Sequence, residues 1–123
     1  MRSTCVYASR VVDPLFENID AARALLDLPM PESEVELTEV LTRVQEHITA
    51  ALDETMARAA LGGASMRTIA SYAQVAPNSV PPRLARSAAL AAYAESGKVT
   101  AEALAVARAD QKRFTFTPRR RTT

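Results

Sequence analysis

Large anchoring side chains are what this chain lacks. Among 123 residues there is no tryptophan, 5% aromatic residues, three glycines, one cysteine and one histidine. A single Cys5 excludes an intrachain disulfide and a cysteine metal cluster. It reads as a small hydrophobe, because nothing beside it would activate a thiolate. His47 sits among Gln45, Glu46 and Thr49 and reads as solvated surface. No run approaches the ~20 apolar residues of a membrane span, so no membrane partner is expected. The opening MRSTCVYASRVV has no apolar core of the secretory kind, which points to the cytoplasm. There is no glycine-rich phosphate loop, no Ser/His/Asp set, no Cys/His cluster and no carboxylate pair with a metal-binding partner. These absences argue against an enzyme, and they imply no cofactor, metal or small-molecule ligand.

What is present is helix-forming and small. Apolar residues make up 48% of the chain, with 24 alanines, and Ala, Leu, Glu and Arg dominate. Propensity therefore favours an all-α protein of about five helices, its core built from many small residues. The length suits one domain over residues 1–123. It divides into an N-terminal arm and short helix (1–31), a long acidic helix (32–62), a two-helix unit (63–96), and a closing helix with a basic tail (97–123).

The net charge of +1 hides an asymmetry. Residues 1–62 hold 11 Asp/Glu and 5 Arg, a net −6, while residues 63–123 hold 3 Asp/Glu and 10 Lys/Arg, a net +7. Such a division fits a protein with one end facing nucleic acid. The alternative is that the halves neutralise each other within the fold or across a dimer.

Residues 4–12 are β-branched and partly alternating, and read as a short strand or extended arm. Asp13-Pro14 reads as an N-cap and first helical position. The helix it opens carries Leu15, Ile19, Ala22 and Leu26 on one face and should end before Pro29. Ser33 to Glu36 fits a capping box, and the helix that follows should run to Leu61, stopped by Gly62-Gly63. Its heptad-like stripe is Leu37, Leu41, Val44, Ile48, Ala51 or Leu52, Thr55 or Met56, and Ala59. At ~1.5 Å per residue the helix spans about 40 Å. The stripe pairs either with a second copy, making a homodimer through residues 33–61, or with other helices of its own chain. Glu32, Glu34, Glu36 and Glu39 complement the helix dipole.

Residues 82–95 read as an Ala-rich helix stopped at Gly97, and Thr100 as the cap of a last helix over residues 101–112, with Leu104 and Ala107 inward. In the tail, Phe114-Thr115-Phe116 reads as an added strand that could pair with the strand-like N-terminal segment. Arg119, Arg120 and Arg121 suit a phosphate backbone or a minor groove, or serve as a solubilising end.

Between Gly63 and Leu84 the spacing is distinctive. Ile69 and Ala70 lie midway along one short helix, Ala73 follows three residues on, and Val75 enters a turn. Val80 returns to the interior, with Leu84 one helical turn later. This stretch of about 22 residues resembles the helix-turn-helix of bacterial and phage DNA-binding regulators. It departs from that pattern in having Gln74 where glycine is usual, and Pro81 and Pro82 inside the second helix. The prolines predict a late start to that helix, with Ser79 or Val80 as N-cap; otherwise the motif is purely structural. Matched residue by residue, Ala76, Pro77, Asn78, Pro81, Pro82 and Ala85 fall at base-facing positions, and of these only Asn78 can make a bidentate base contact.

The resemblance implies sequence-preferring double-stranded DNA binding by a dimeric transcriptional regulator. It places Ser65, Arg67 and Thr68 on phosphates, and Asn78 and Ser79, with Arg83 and Arg86, in the major groove. Two other readings compete. One is a helical protein–protein module of the antitoxin or adaptor kind. The other is an architectural, replication or packaging protein that binds DNA without reading it.

Overall fold

The computed structural model describes the backbone of residues 13–121 and the side chains of residues 13–112. Among the described residues the chain is all-α: α1 (Pro14–Asp27), α2 (Glu34–Leu61), α3 (Met66–Ala73), α4 (Val80–Ala85) and α5 (Ala101–Arg121). Short 3-10 turns at Pro77–Ser79 and Ala91–Tyr93 precede α4 and follow it. The segment expected to be extended over residues 4–12 lies outside the described residues. Contacts cluster into two compact units, Met1–Leu52 and Asp53–Thr123, with the division falling within α2. No described helix is long and apolar enough to cross a membrane.

In the first unit the helix starts are set by local chemistry. Asp13 caps α1, its Oδ1 accepting the Leu15 N–H at 3.1 Å, with Pro14 in the first turn. The helix stops at Asp27 because Pro29 holds Leu28 in extended backbone, ψ 154°. Ser33 Oγ accepts the N–H groups of Val35 (3.2 Å) and Glu36 (3.3 Å) and so opens α2. Ala22 is buried on α1, whereas Leu26, assigned to the same face, is half exposed.

His47 is not solvated surface. It is half-buried, and its Nδ1 lies 2.8 Å from Asn18 Oδ1. Asn18 Nδ2 donates to the Pro14 carbonyl at 2.7 Å, which leaves Oδ1 as acceptor, so His47 Nδ1 carries the proton. Within the first unit the residues of α2 drawn inward are Leu37, Val40, Val44, His47, Ala50, Ala51 and Leu52, while Leu41 and Ile48 remain 48% and 47% exposed.

The core of the second unit combines alanines with larger aliphatic side chains and one methionine. Met56, Ala57, Ala60, Ile69, Ala70, Val80, Leu84, Leu90, Val99, Leu104 and Ala107 are all buried. At the end of α2, Gly63 takes φ +111° while its N–H bonds the Ala60 carbonyl and the Ala64 N–H bonds the Ala59 carbonyl. These are the paired bonds of a Schellman ending. The end of α3 repeats the arrangement, with the Gln74 N–H on Ser71 and the Val75 N–H on Ala70. Here the left-handed residue is Gln74, at φ 61° and ψ 45°.

The helix expected over residues 82–95 stops at Ala85. Ser87 is buried; its Oγ donates to the Leu84 carbonyl at 2.7 Å and accepts the Leu90 N–H at 3.0 Å. The Ala88 N–H is taken by the Glu54 carboxylate. These bonds outcompete the continued helical ladder, and alanine propensity alone could not foresee them. A tight two-residue turn follows, with Ser96 and Gly97 at positive φ between Glu95 and Lys98, whose backbone groups bond each other at 2.8 and 3.1 Å.

Thr100 caps α5, its Oγ1 accepting the Ala103 N–H at 3.1 Å, and Leu104 and Ala107 are buried as expected. The helix does not end at Lys112. It continues to Arg121 and takes in Phe114, Thr115 and Phe116, so that segment is not extended. Arg108 ties α5 to the end of α2, donating through Nε to the Ala60 carbonyl (2.9 Å) and through Nη2 to the Ala64 carbonyl (3.1 Å).

A non-glycine residue in left-handed backbone is strained by about 1 kcal/mol. Gln74→Gly should therefore raise unfolding stability by about 1 kcal/mol in urea titration. Unchanged stability would show that the Gln74 side chain makes up the difference.

Candidate nucleic-acid interface

The residues singled out in the sequence fall in three groups. The first lies at the start of α3. Ser65 is its N-cap, with Oγ accepting the Thr68 N–H and donating to Thr68 Oγ1, both at 3.0 Å. Ser65, Arg67 and Thr68 are exposed, while Ile69 and Ala70 on the other side of the helix are buried. Tyr72, one turn beyond Thr68, is 87% exposed.

The second group is the turn. Asn78 is exposed and Ser79 half-buried, both in the 3-10 turn whose Ser79 N–H bonds the Ala76 carbonyl. Helix α4 starts at Val80 with Ser79 as N-cap and the prolines in its first turn, the late start expected from Pro81-Pro82. The Ser79 hydroxyl makes no capping bond. Helix α3 packs on both this turn and α4, so the first two groups share one framework. Within α4 itself Val80 and Leu84 are buried and the other four residues are half-buried.

The third group is arginine. Arg83 is drawn inward, its Nε donating to Asp53 Oδ1 at 2.7 Å; the two side chains are 17% and 6% exposed. Arg86 lies just past α4 with its side chain 60% exposed, and its Nε is 3.6 Å from Asp53 Oδ2. The two arginines are thus joined through one carboxylate. Arg119, Arg120 and Arg121 lie on the backbone of α5, with side chains outside the described residues.

Sequence reasoning missed Asp53 and Glu54, which were counted only as part of an acidic helix. Both are buried, at 4% and 5% exposure, and both bond the 83–88 segment. A signal existed: Asp53, Ala57 and Ala60 follow i, i+4, i+7, which puts an acid on an apolar face. Arg108 was missed for a similar reason, since an arginine in a polar helix reads as solvated.

The second unit holds 11 Lys/Arg against 5 Asp/Glu, a net +6. Arg83 pairs with Asp53, and Arg108 donates to the carbonyls of Ala60, in α2, and Ala64, just past it. Arg58, Arg67, Arg86, Lys98 and Lys112 are exposed.

Arg83 therefore cannot be tested as a surface contact alone. Removing one member of a buried pair leaves the other uncompensated, so Arg83→Ala should cost about 3 kcal/mol of unfolding stability. Exposed Arg67→Ala should stay within about 0.5 kcal/mol in the same urea titration. No family model matches this chain, and neither a curated protein nor a solved structure matches it.

Proposed function

We propose that this protein is a cytoplasmic double-stranded DNA-binding protein of the helix-turn-helix kind, acting as a dimeric transcriptional regulator with no catalytic step. The observation that carries the reading is the join between α3 and α4. A left-handed Gln74 ends the first helix, the second begins at Val80, and buried Ile69, Ala70, Val80 and Leu84 pack the pair together. Outside that packing, Ser65, Arg67 and Thr68 offer phosphate contacts, and Asn78 is the exposed side chain suited to a base edge. Arg86 adds a charged contact just past α4, and Arg119, Arg120 and Arg121 supply a further basic run.

Because α4 itself exposes so little, phosphate contacts dominate affinity in this reading and base reading is confined to few positions. Binding to any duplex should be strongly salt-dependent, with a preferred site adding modest discrimination. Arg67→Ala and Arg86→Ala should each weaken duplex binding by about 1–3 kcal/mol and lower the salt slope by about 1. Fluorescence titration with random duplex at several salt concentrations measures both, and a chain that binds no duplex at low salt would rule the reading out.

The dimer rests on a separate observation. Among the described residues, seven of the nine exposed large hydrophobic side chains are Phe16, Leu26, Leu28, Met30, Val35, Leu41 and Ile48, all in the first unit. On α2, Leu41 is flanked at helical spacing by Leu37, Thr38, Val44 and Gln45, and Ile48 by Val44, Gln45, Ala51 and Leu52. None of these is charged, so a second copy of the same face meets no like-charge repulsion even though the unit is acidic. The same exposed residues favour the protein–protein module as the second reading, in which the occupant is a different chain. Light scattering should give a dimer at micromolar concentration, and Leu41→Glu with Ile48→Glu should yield a folded monomer. A monomer for the unmodified chain would leave the face to a different partner.

A further inference from the structure

Asp53 and Glu54 are adjacent, buried and acidic, and both reach the same short segment, residues 83–88. Their bonds are unequal. Asp53 Oδ1 takes a short hydrogen bond from Arg83 Nε, while Oδ2 stands 3.6 Å from Arg86 Nε, a distance of electrostatic attraction rather than hydrogen bonding. Glu54 holds the Ala88 N–H, two residues past Arg86, and so fixes the backbone that carries it. Arg83 is largely covered, whereas Arg86 keeps 60% of its side chain in solvent. The recorded approach of the carboxylate to Arg86 is at Nε; the two terminal nitrogens of a guanidinium are the forked donors that match a phosphate.

We propose that Asp53 is a positioning residue for duplex binding, holding Arg86 by its Nε so that its terminal nitrogens are presented to the nucleic-acid backbone. This inference rests on the duplex-binding reading and adds a positioning residue to it. An arginine on a free tether loses rotamer freedom when it binds, whereas a guanidinium already held has less to lose. Arg83, anchored on the other oxygen, keeps the carboxylate in place.

The sign of one substitution separates positioning from plain electrostatics. A carboxylate beside a phosphate site opposes the anion, so by charge alone Asp53→Asn raises duplex affinity. Under positioning, Asp53→Asn lowers affinity by about two- to tenfold, and the loss disappears when Arg86 is already alanine. The experiment is a double-mutant cycle of Asp53→Asn and Arg86→Ala, read by anisotropy of a labelled random-sequence duplex at fixed salt. Circular dichroism checks that each variant is folded, and Asp53→Glu, which keeps the charge but displaces the carboxylate, carries the same cycle if the Asn variant does not fold. An affinity gain from Asp53→Asn, or the same loss in both Arg86 backgrounds, overturns the proposal. So does an Arg86→Ala variant that binds like the parent, although duplex binding itself then stands on other residues. If the unmodified chain binds no duplex, the functional reading fails and this inference with it.

Discussion

Two buried carboxylates on α2 constrain the rest of the second unit. A charge taken out of water is costly unless it is paired or hydrogen-bonded, so Asp53 and Glu54 are tolerable only where donors meet them. Those donors are Arg83 and the Ala88 N–H, at the end of α4 and in the turn after it. Meeting them brings the end of α4 against α2 and stops the helix at Ala85. Once stopped there, the chain turns through Ser87 and a 3-10 segment, and the Val99 N–H bonds the Pro81 carbonyl at 3.0 Å.

Around this polar anchor the packing mixes small and larger side chains. Ala57, Ala60, Ala70 and Ala107 are buried, beside Met56, Ile69, Val80, Leu84, Leu90, Val99 and Leu104. Alanine faces let helix backbones approach closely, but each contributes little burial, and hydrogen bonds between elements add specificity. Arg108 on the Ala60 and Ala64 carbonyls and Tyr93 on Asp110, at 2.7 Å, belong to that set. Every described buried side-chain nitrogen or oxygen has a partner.

The same economy shapes the functional reading. A basic half in the sequence is not the same thing as a basic surface, because Arg83 pairs with a buried acid and Arg108 is held on backbone carbonyls. Arg83 belongs to the interior by this criterion and Arg86 to the surface, although they are one helical turn apart. Among the described residues the large apolar side chains left in water belong mostly to the first unit, whereas Arg67 and Arg86 are exposed in the second, so association and nucleic-acid contact are proposed for different parts of the chain.

Much of the secondary structure was legible because its causes are local. Asp13, Ser33, Ser65 and Thr100 act on N–H groups two or three residues away, and Pro29, Gly63 and Pro81-Pro82 restrict their own backbone and that beside them. The all-α class, the capped helix starts at Asp13, Ser33 and Thr100 and the late start of α4 could be read from such signals. The break after Ala85, the inward turn of Arg83 and the half-buried His47 could not. Each depends on a partner far along the chain, Glu54 for Ala88, Asp53 for Arg83 and Asn18 for His47, at separations of 34, 30 and 29 residues. Local propensity acts over one or two helical turns, whereas the cost of a buried charge or polar group is settled by whatever group the fold brings next to it. The sequence by itself thus determined where helices begin and which residues carry charge; only the tertiary structure decided which of those charges remain at the surface.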